Sequence, residues 1–214
     1  MFNDDFKRMV VDLYQSRYFS QTIINTYFPE INRYGGPSLI NIAENVFYKD
    51  SLVVMKILEI MNKNGLSKEQ IGVISLLYYL NDFGLIFEDQ LSYLHLNLKN
   101  DDIYKKQFKD EKYDFINELD SYNNWEKARR GNDLKQIIEV LDYRSESIRI
   151  YKEQIIRSNK LTSDFVNIMG SVIHLHFNRL FEIDRDFEDK LYGYAYHTLY
   201  GQRVLRKMVH LQEI

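Results

Sequence analysis

The chain contains no cysteine, which rules out a disulfide framework, a thiolate metal site and a cysteine nucleophile. The simplest compartment for such a chain is the cytoplasm. Proline occurs only at Pro29 and Pro37, so after position 38 no proline ring obliges a helix to stop. An excess of one charge is also lacking: the formal net charge is −3, which gives no support for a general nucleic-acid-binding surface. The most apolar run, Ile71 to Leu80 (IGVISLLYYL), is far shorter than the roughly 20 residues a bilayer requires. The opening residues, MFNDDFKRMVVDL, start acidic and lack the basic-then-apolar order of a signal peptide. Familiar catalytic signatures are scarce as well. There is no HExxH, no GxSxG elbow and no phosphate-cradling glycine loop, since Gly35-Gly36 has neither the spacing nor the lysine of one. Neither a metal nor a cofactor is expected.

What is present patterns as helix. Hydrophobic residues at 45% and charged residues at 28% suit an ordinary globular fold, and 214 residues fit a single domain over 1–214. Phe2 to Arg17 carries a helical apolar stripe. Gln21 to Phe28 is rich in β-branched and aromatic residues and stops at Pro29, so it reads as a strand. Paired glycines followed by Pro37 make a tight turn that leads into a helix to about Tyr48. Asp50-Ser51 then reads as an interruption that starts a second helix, to about Asn64. Ser67 with Gln70 reads as a capping box for a helix over Lys68 to Asn81, and a further helix is expected from Phe87 to Leu98. Lys99 to Lys135 carries equal numbers of acidic and basic residues around a few aromatics. It reads as a polar helical arm or insert, or else as a partner-binding hairpin. Long amphipathic helices follow over Asp133 to Ser158 and Asp184 to Met208. The expected fold is mainly α, a multi-helix domain with one or two short strands near the N-terminus.

The stretch from Leu161 to Phe181 stands apart. It is apolar nearly all round, with Thr162 or Ser163 available as N-cap, yet it holds His174, His176, Asn178 and Arg179 within six positions. At the helical rotation of about 100° per residue, His174 and Asn178 share one face and His176 and Arg179 another. The two histidines point roughly 160° apart and cannot share an ion. Buried polar groups need partners, because an unpaired one costs roughly 1–3 kcal/mol. The cluster is therefore either a structural hydrogen-bond knot or a functional site. Arg33, on the Gly-Gly turn, can grip a carboxylate in bidentate fashion, and a buried His174 near it can exchange a proton near neutral pH. Such a pair suits proton removal α to a carbonyl with loss of a carboxylate.

Two stretches carry a family resemblance. Tyr27-Phe28-Pro29-Glu30-Ile31-Asn32-Arg33-Tyr34-Gly35-Gly36, followed by Ala43-Glu44, Phe47 and Asp50-Ser51, resembles the "YxPExERYGG … AExxFxxDS" signature of the lantibiotic dehydratase C-terminal family, also called the thiopeptide-type bacteriocin biosynthesis domain. Ser171 to Asp184 (SVIHLHFNRLFEID) resembles its second signature, "SxxHMxxNRLxGxD". The resemblance covers nearly the whole chain. Asn32 replaces the usual acid, Leu175 a methionine, and Glu182 stands where glycine is usual. It also implies that the chain begins inside the family domain, short of an upstream sheet-forming portion that supplies another arginine.

The resemblance implies a function. In class I lanthipeptide synthesis a larger N-terminal domain attaches glutamate from glutamyl-tRNA to Ser and Thr of a precursor peptide, and the C-terminal domain eliminates it to leave dehydroamino acids. Stand-alone relatives perform that elimination or close a pyridine ring by cycloaddition. By motif match, Arg33 would contact the glutamyl group or the developing enolate and His174 would move the proton. Tyr34, Glu44, His176, Asn178 and Arg179 would bind or orient the substrate, with Glu44 buttressing Arg33. The implied partners are the precursor peptide and a separate dehydratase chain. The alternatives are a non-catalytic peptide-holding subunit and a cycloaddition enzyme.

Overall fold

A computed structural model of the chain describes residues 8, 30–64, 66–119 and 125–212. The helix expected over 2–17 and the strand expected over 21–28 lie outside the described residues. The chain divides after Glu30, and the architecture that follows is that of the unit beginning at Ile31. Among the described residues there are eight α-helices and no strand. They are α1 (Ile40–Asn64), α2 (Lys68–Asp82), α3 (Phe87–Leu96), α4 (Asp101–Glu118), α5 (Glu126–Arg130), α6 (Asn132–Arg157), α7 (Phe165–Phe181) and α8 (Arg185–Gln212), preceded by a 3₁₀ turn at Ile31–Tyr34.

Helix α2 is the hub. Eleven of its residues, from Ile71 to Asp82, are buried, and it packs against α3, α6, α7 and α8. A helix enclosed on most sides must be apolar on most sides, which accounts for the run IGVISLLYYL. Around it α1 lies along α6, α4 lies along α8, and the 3₁₀ turn sits against α7 and α1. Ser67 caps α2, its hydroxyl accepting from the Gln70 amide at 3.4 Å, as the capping-box spacing predicts. Helix α2 ends at Gly84, whose φ of +83° suits glycine.

Three local expectations are corrected. Asp50-Ser51 does not break the chain: α1 runs through it. Asp50 is 1% exposed and spends its carboxylate on other helices, while the Ser51 hydroxyl bonds back to the Phe47 carbonyl at 2.9 Å. Neither side chain competes for the amides that a helix start would need capped. The N-cap of α7 is Asp164, whose carboxylate accepts from the Asn167 amide at 2.8 Å, not Thr162 or Ser163. Thr162 instead donates to the Asn32 carbonyl at 2.8 Å. Finally, α4 does not stand off as a polar arm. Tyr104, Phe108 and Phe115 are buried, and Phe108 and Phe115 both meet the Tyr194 ring of α8 edge-on at 5.3 Å. The charges hide an aromatic stripe at helical spacing, and burying that stripe outweighs leaving the helix solvated.

Candidate functional site

Arg33 is positioned by backbone. The 3₁₀ turn closes through the Gly36 amide onto the Ile31 carbonyl at 2.9 Å, with φ +93° at Gly35 and +106° at Gly36, a region that side chains with a Cβ rarely enter. A Cβ at Gly35 would also lie 2.6 Å from Leu39 Cδ1 and 3.3 Å from Ile168 Cδ1. The turn is bolted to the bundle by Tyr151 of α6, which donates to the Tyr34 carbonyl at 2.8 Å, and by Thr162. The exposed Arg33 side chain therefore starts from a fixed point, and its Nε donates to Ser171 Oγ of α7 at 3.1 Å.

One turn further along α7, His174 faces the same space. Arg33, Ser171 and His174 line one cavity of about 300 Å³, together with Tyr93 and residues of α8. Both ring nitrogens of His174 are engaged. Nδ1 lies 2.7 Å from Glu188 Oε2, and Nε2 lies 3.1 Å from the Asn178 amide nitrogen. Glu188 as a carboxylate can only accept, so Nδ1 carries the proton and Nε2 accepts from Asn178. Arg185 Nη1 lies 3.4 Å from Nδ1 and 3.7 Å from Glu188 Oε2. With Nδ1 already donating, the guanidinium pairs with the carboxylate. At the cavity edge Lys99 pairs with Asp189 at 3.1 Å. Tyr93 and Tyr192, whose hydroxyls are 3.3 Å apart, also line it.

The opposite face of α7 does different work. His176 and Arg144 are wholly buried, and both reach Asp50 Oδ1, at 2.8 and 2.7 Å. Tyr79 donates to the same oxygen at 2.8 Å, and Arg179 Nη1 donates to Oδ2 at 3.0 Å. The Arg144 guanidinium also sits 3.6 Å over the Tyr79 ring, a cation–π contact in a desolvated setting. Burial by itself would raise the Asp50 carboxyl, but the His176 and Arg144 donors overcome it and hold the group far below the usual carboxylate range. Burial lowers His176, with Arg144 and Arg179 adding to it against the attraction of Asp50. His176 is accordingly neutral, with its proton on Nδ1. Removing one partner from such a buried pair typically costs about 3–5 kcal/mol, so the knot fixes α1, α2, α6 and α7 against one another.

Of the expected site residues, Arg33 and His174 share the cavity and Asn178 holds the His174 ring. The others do not line it. His176 is corrected to a structural group, because at 0% exposure and bonded to Asp50 it is closed to a substrate. Tyr34 is 6% exposed and packs edge-on against Phe47 at 4.7 Å, so it belongs to the core. Arg179 ties into the knot over the Phe47 ring. Among the described residues, no ion pair joins Glu44 to Arg33. Sequence reasoning missed Glu188 altogether: it lies on the next helix, beyond a turn, with no local signal that it faces His174. Among the described residues, no group of three or more His, Asp or Glu is placed to hold a metal ion, and no helix is long and apolar enough to cross a membrane.

Comparison with known proteins gives a consistent picture. A family model described as lantibiotic biosynthesis dehydratase C-term matches residues 1–199. The chain is 35% identical over 187 residues to subtilin biosynthesis protein SpaB of Bacillus subtilis, covering 86% of this chain and 18% of that protein. It is 28% identical over 177 residues to epidermin biosynthesis protein EpiB of Staphylococcus epidermidis, covering 82% and 17%. The chain thus spans less than a fifth of the length of these relatives. In fold it is similar to the tRNA dependent lantibiotic dehydratase MibB from Microbispora sp. 107891. The crystal structure of MibB superposes with a TM-score of 0.80 at 18% identity, covering 94% of this chain and 22% of that one.

Proposed function

This chain belongs to the lantibiotic biosynthesis dehydratase C-terminal family, and from that premise we propose that it eliminates glutamate from glutamylated Ser or Thr of a precursor peptide. The observation that carries the reading is the single cavity lined by both Arg33 and His174, a cation and a base at one place. In the proposed step His174 Nε2 takes the α-proton of the esterified residue. The C–H electron pair becomes the Cα=Cβ bond, the Cβ–O bond breaks, and glutamate leaves as a carboxylate. Arg33 is a charge-matched partner for that carboxylate or for the enolate that precedes it, a stabilisation that grows as charge develops. The Asn178 amide donates to the Nε2 lone pair, a bond that the proton transfer replaces.

A second reading has the chain hold a peptide as one subunit of a larger dehydratase, and the small share of the relatives that it spans favours keeping it in the test. The protein, alone and together with a glutamylating dehydratase chain, is incubated with a glutamylated peptide, and loss of glutamate is followed by mass spectrometry. Arg33→Ala and His174→Ala are each expected to lower the rate at least about 100-fold, the usual scale for a positioned acid–base group, with unchanged helical circular dichroism. Loss of glutamate at parental rate in either variant would remove that residue from the mechanism. No loss with or without the second chain would leave the peptide-holding reading.

A further inference from the structure

Glu188 has no part in either family signature, yet it makes the shortest contact of any group to His174, 2.7 Å from Oε2 to Nδ1. Both side chains are largely enclosed, at 12% and 13% exposure, so the contact is not a surface coincidence of two mobile groups. It also spans two helices. His174 projects from α7 and Glu188 from the first turn of α8, with the exposed joint of 182–184 between them.

An imidazole has two nitrogens and in its neutral form one proton. Which nitrogen is the base depends on which one the surroundings protonate. Here the choice is made by Glu188. An acceptor-only carboxylate at Nδ1 stabilises the tautomer with the proton on Nδ1, and Nε2 is left as the lone-pair nitrogen. The Asn178 amide, donating to Nε2 at 3.1 Å, reports that same tautomer from the other side of the ring. When Nε2 takes up a proton, the ring becomes a cation still touching a carboxylate, so the charge that forms is met where it forms. The other charged groups in the cavity are Arg33 from the 3₁₀ turn, Lys99 from the connection before α4, and Arg185 and Asp189 from α8. Lys99 is paired with Asp189, and Arg185 leans on Glu188 from the solvent side at 3.7 Å. Glu188 is thus the anion that His174 itself meets.

We propose that Glu188 is the positioning residue of the catalytic base: it fixes the His174 tautomer and holds the ring so that Nε2, and not Nδ1, carries the lone pair. The catalytic role of His174 rests on the proposed elimination; the tautomer assignment does not, and the two are tested apart. Long-range proton–nitrogen spectra of ¹⁵N-histidine-labelled protein at a pH where the ring is neutral, with His174 identified by its loss in His174→Asn, report the tautomer without any activity. The parent is expected to show Nδ1 protonated and Nε2 bare. Glu188→Gln, whose amide can either accept or donate, is expected to give a mixed or reversed population, and Glu188→Asp to keep the parental one. Should the parent show Nε2 protonated, or Glu188→Gln leave the signals unchanged, the inference is overturned whatever the activity.

In the glutamate-release assay, Glu188→Gln is expected to lower kcat by about 100-fold or more with KM within about threefold, and Glu188→Asp to recover at least a tenth of the parental kcat. A residue that merely supported the fold would shift both constants or the melting temperature and would not be rescued by aspartate. A parent that shows the expected tautomer but releases no glutamate sinks the proposed function and leaves the Glu188 assignment standing.

Discussion

Asp50 receives four donors on two carboxylate oxygens, from Arg144, Tyr79 and His176 on Oδ1 and from Arg179 on Oδ2. This carboxylate explains why a helix otherwise apolar nearly all round tolerates so much polarity. The α7 cluster is not one thing. His176 and Arg179 face inward to the knot, while His174 lines the cavity and Asn178 bonds its ring, so the knot and the candidate site lie on different faces of the helix. A second residue carries a cost. Glu182 ends α7 with φ +63° and ψ −169°, a region populated almost solely by glycine and costing a side-chain-bearing residue roughly 1–3 kcal/mol. Glycine gives back about 0.4–1 kcal/mol through the freer unfolded chain. Glu182→Gly is therefore expected to stabilise by about 1 kcal/mol, raising the melting temperature by about 2–4 °C for a chain of this size. Calorimetry showing a lower melting temperature would mean that the Glu182 side chain makes up for its strained backbone.

Helices α2 and α8 approach so closely at Gly72 that a Cβ there would sit 2.5 Å and 2.6 Å from the two methyl carbons of Leu191. Leu191 is 0% exposed and has nowhere open to go. Overpacking a dense core costs about 1–3 kcal/mol, more than the few tenths gained by replacing a helical glycine with valine. Gly72→Val is accordingly expected to lose about 2 kcal/mol in urea unfolding, and Leu191→Ala in the same chain should restore part of it. A Gly72→Val chain as stable as the parent would show that the two helices can move apart freely. Element positions were largely legible from period and caps: α2 follows its Ser67 box, and α6 and α8 follow their amphipathic stripes. The exceptions share a cause. At Asp50 and in α4, residues that look like breakers or solvated charge belong to a partner helix, and propensity yields to tertiary packing.

Global stability should carry the signature of the knot. His176 is lowered from its ordinary 6.5 by burial, with Arg144 and Arg179 adding to it, so as pH falls through about 6.5 the unfolded chain takes up a proton that the folded one refuses. That contribution is complete above pH 6.5 and is lost progressively below it. Asp50, lowered far below its ordinary 3.8, adds the same sign of loss only below about pH 4. Thermal unfolding between pH 7 and 5 should fall more steeply for the parent than for His176→Gln, which keeps an amide donor for Asp50 without the titration. Equal slopes would show that His176 takes up its proton while folded. Which side chains share a face of α7 was written in their spacing, because helical rotation is local and each residue's direction follows from its neighbours in the chain. That Glu188 meets His174, and that Asp50, Arg144 and Tyr79 meet His176, depended on where helices far apart in sequence cross. Such crossings are set by packing of the whole bundle, and no short stretch of residues records them.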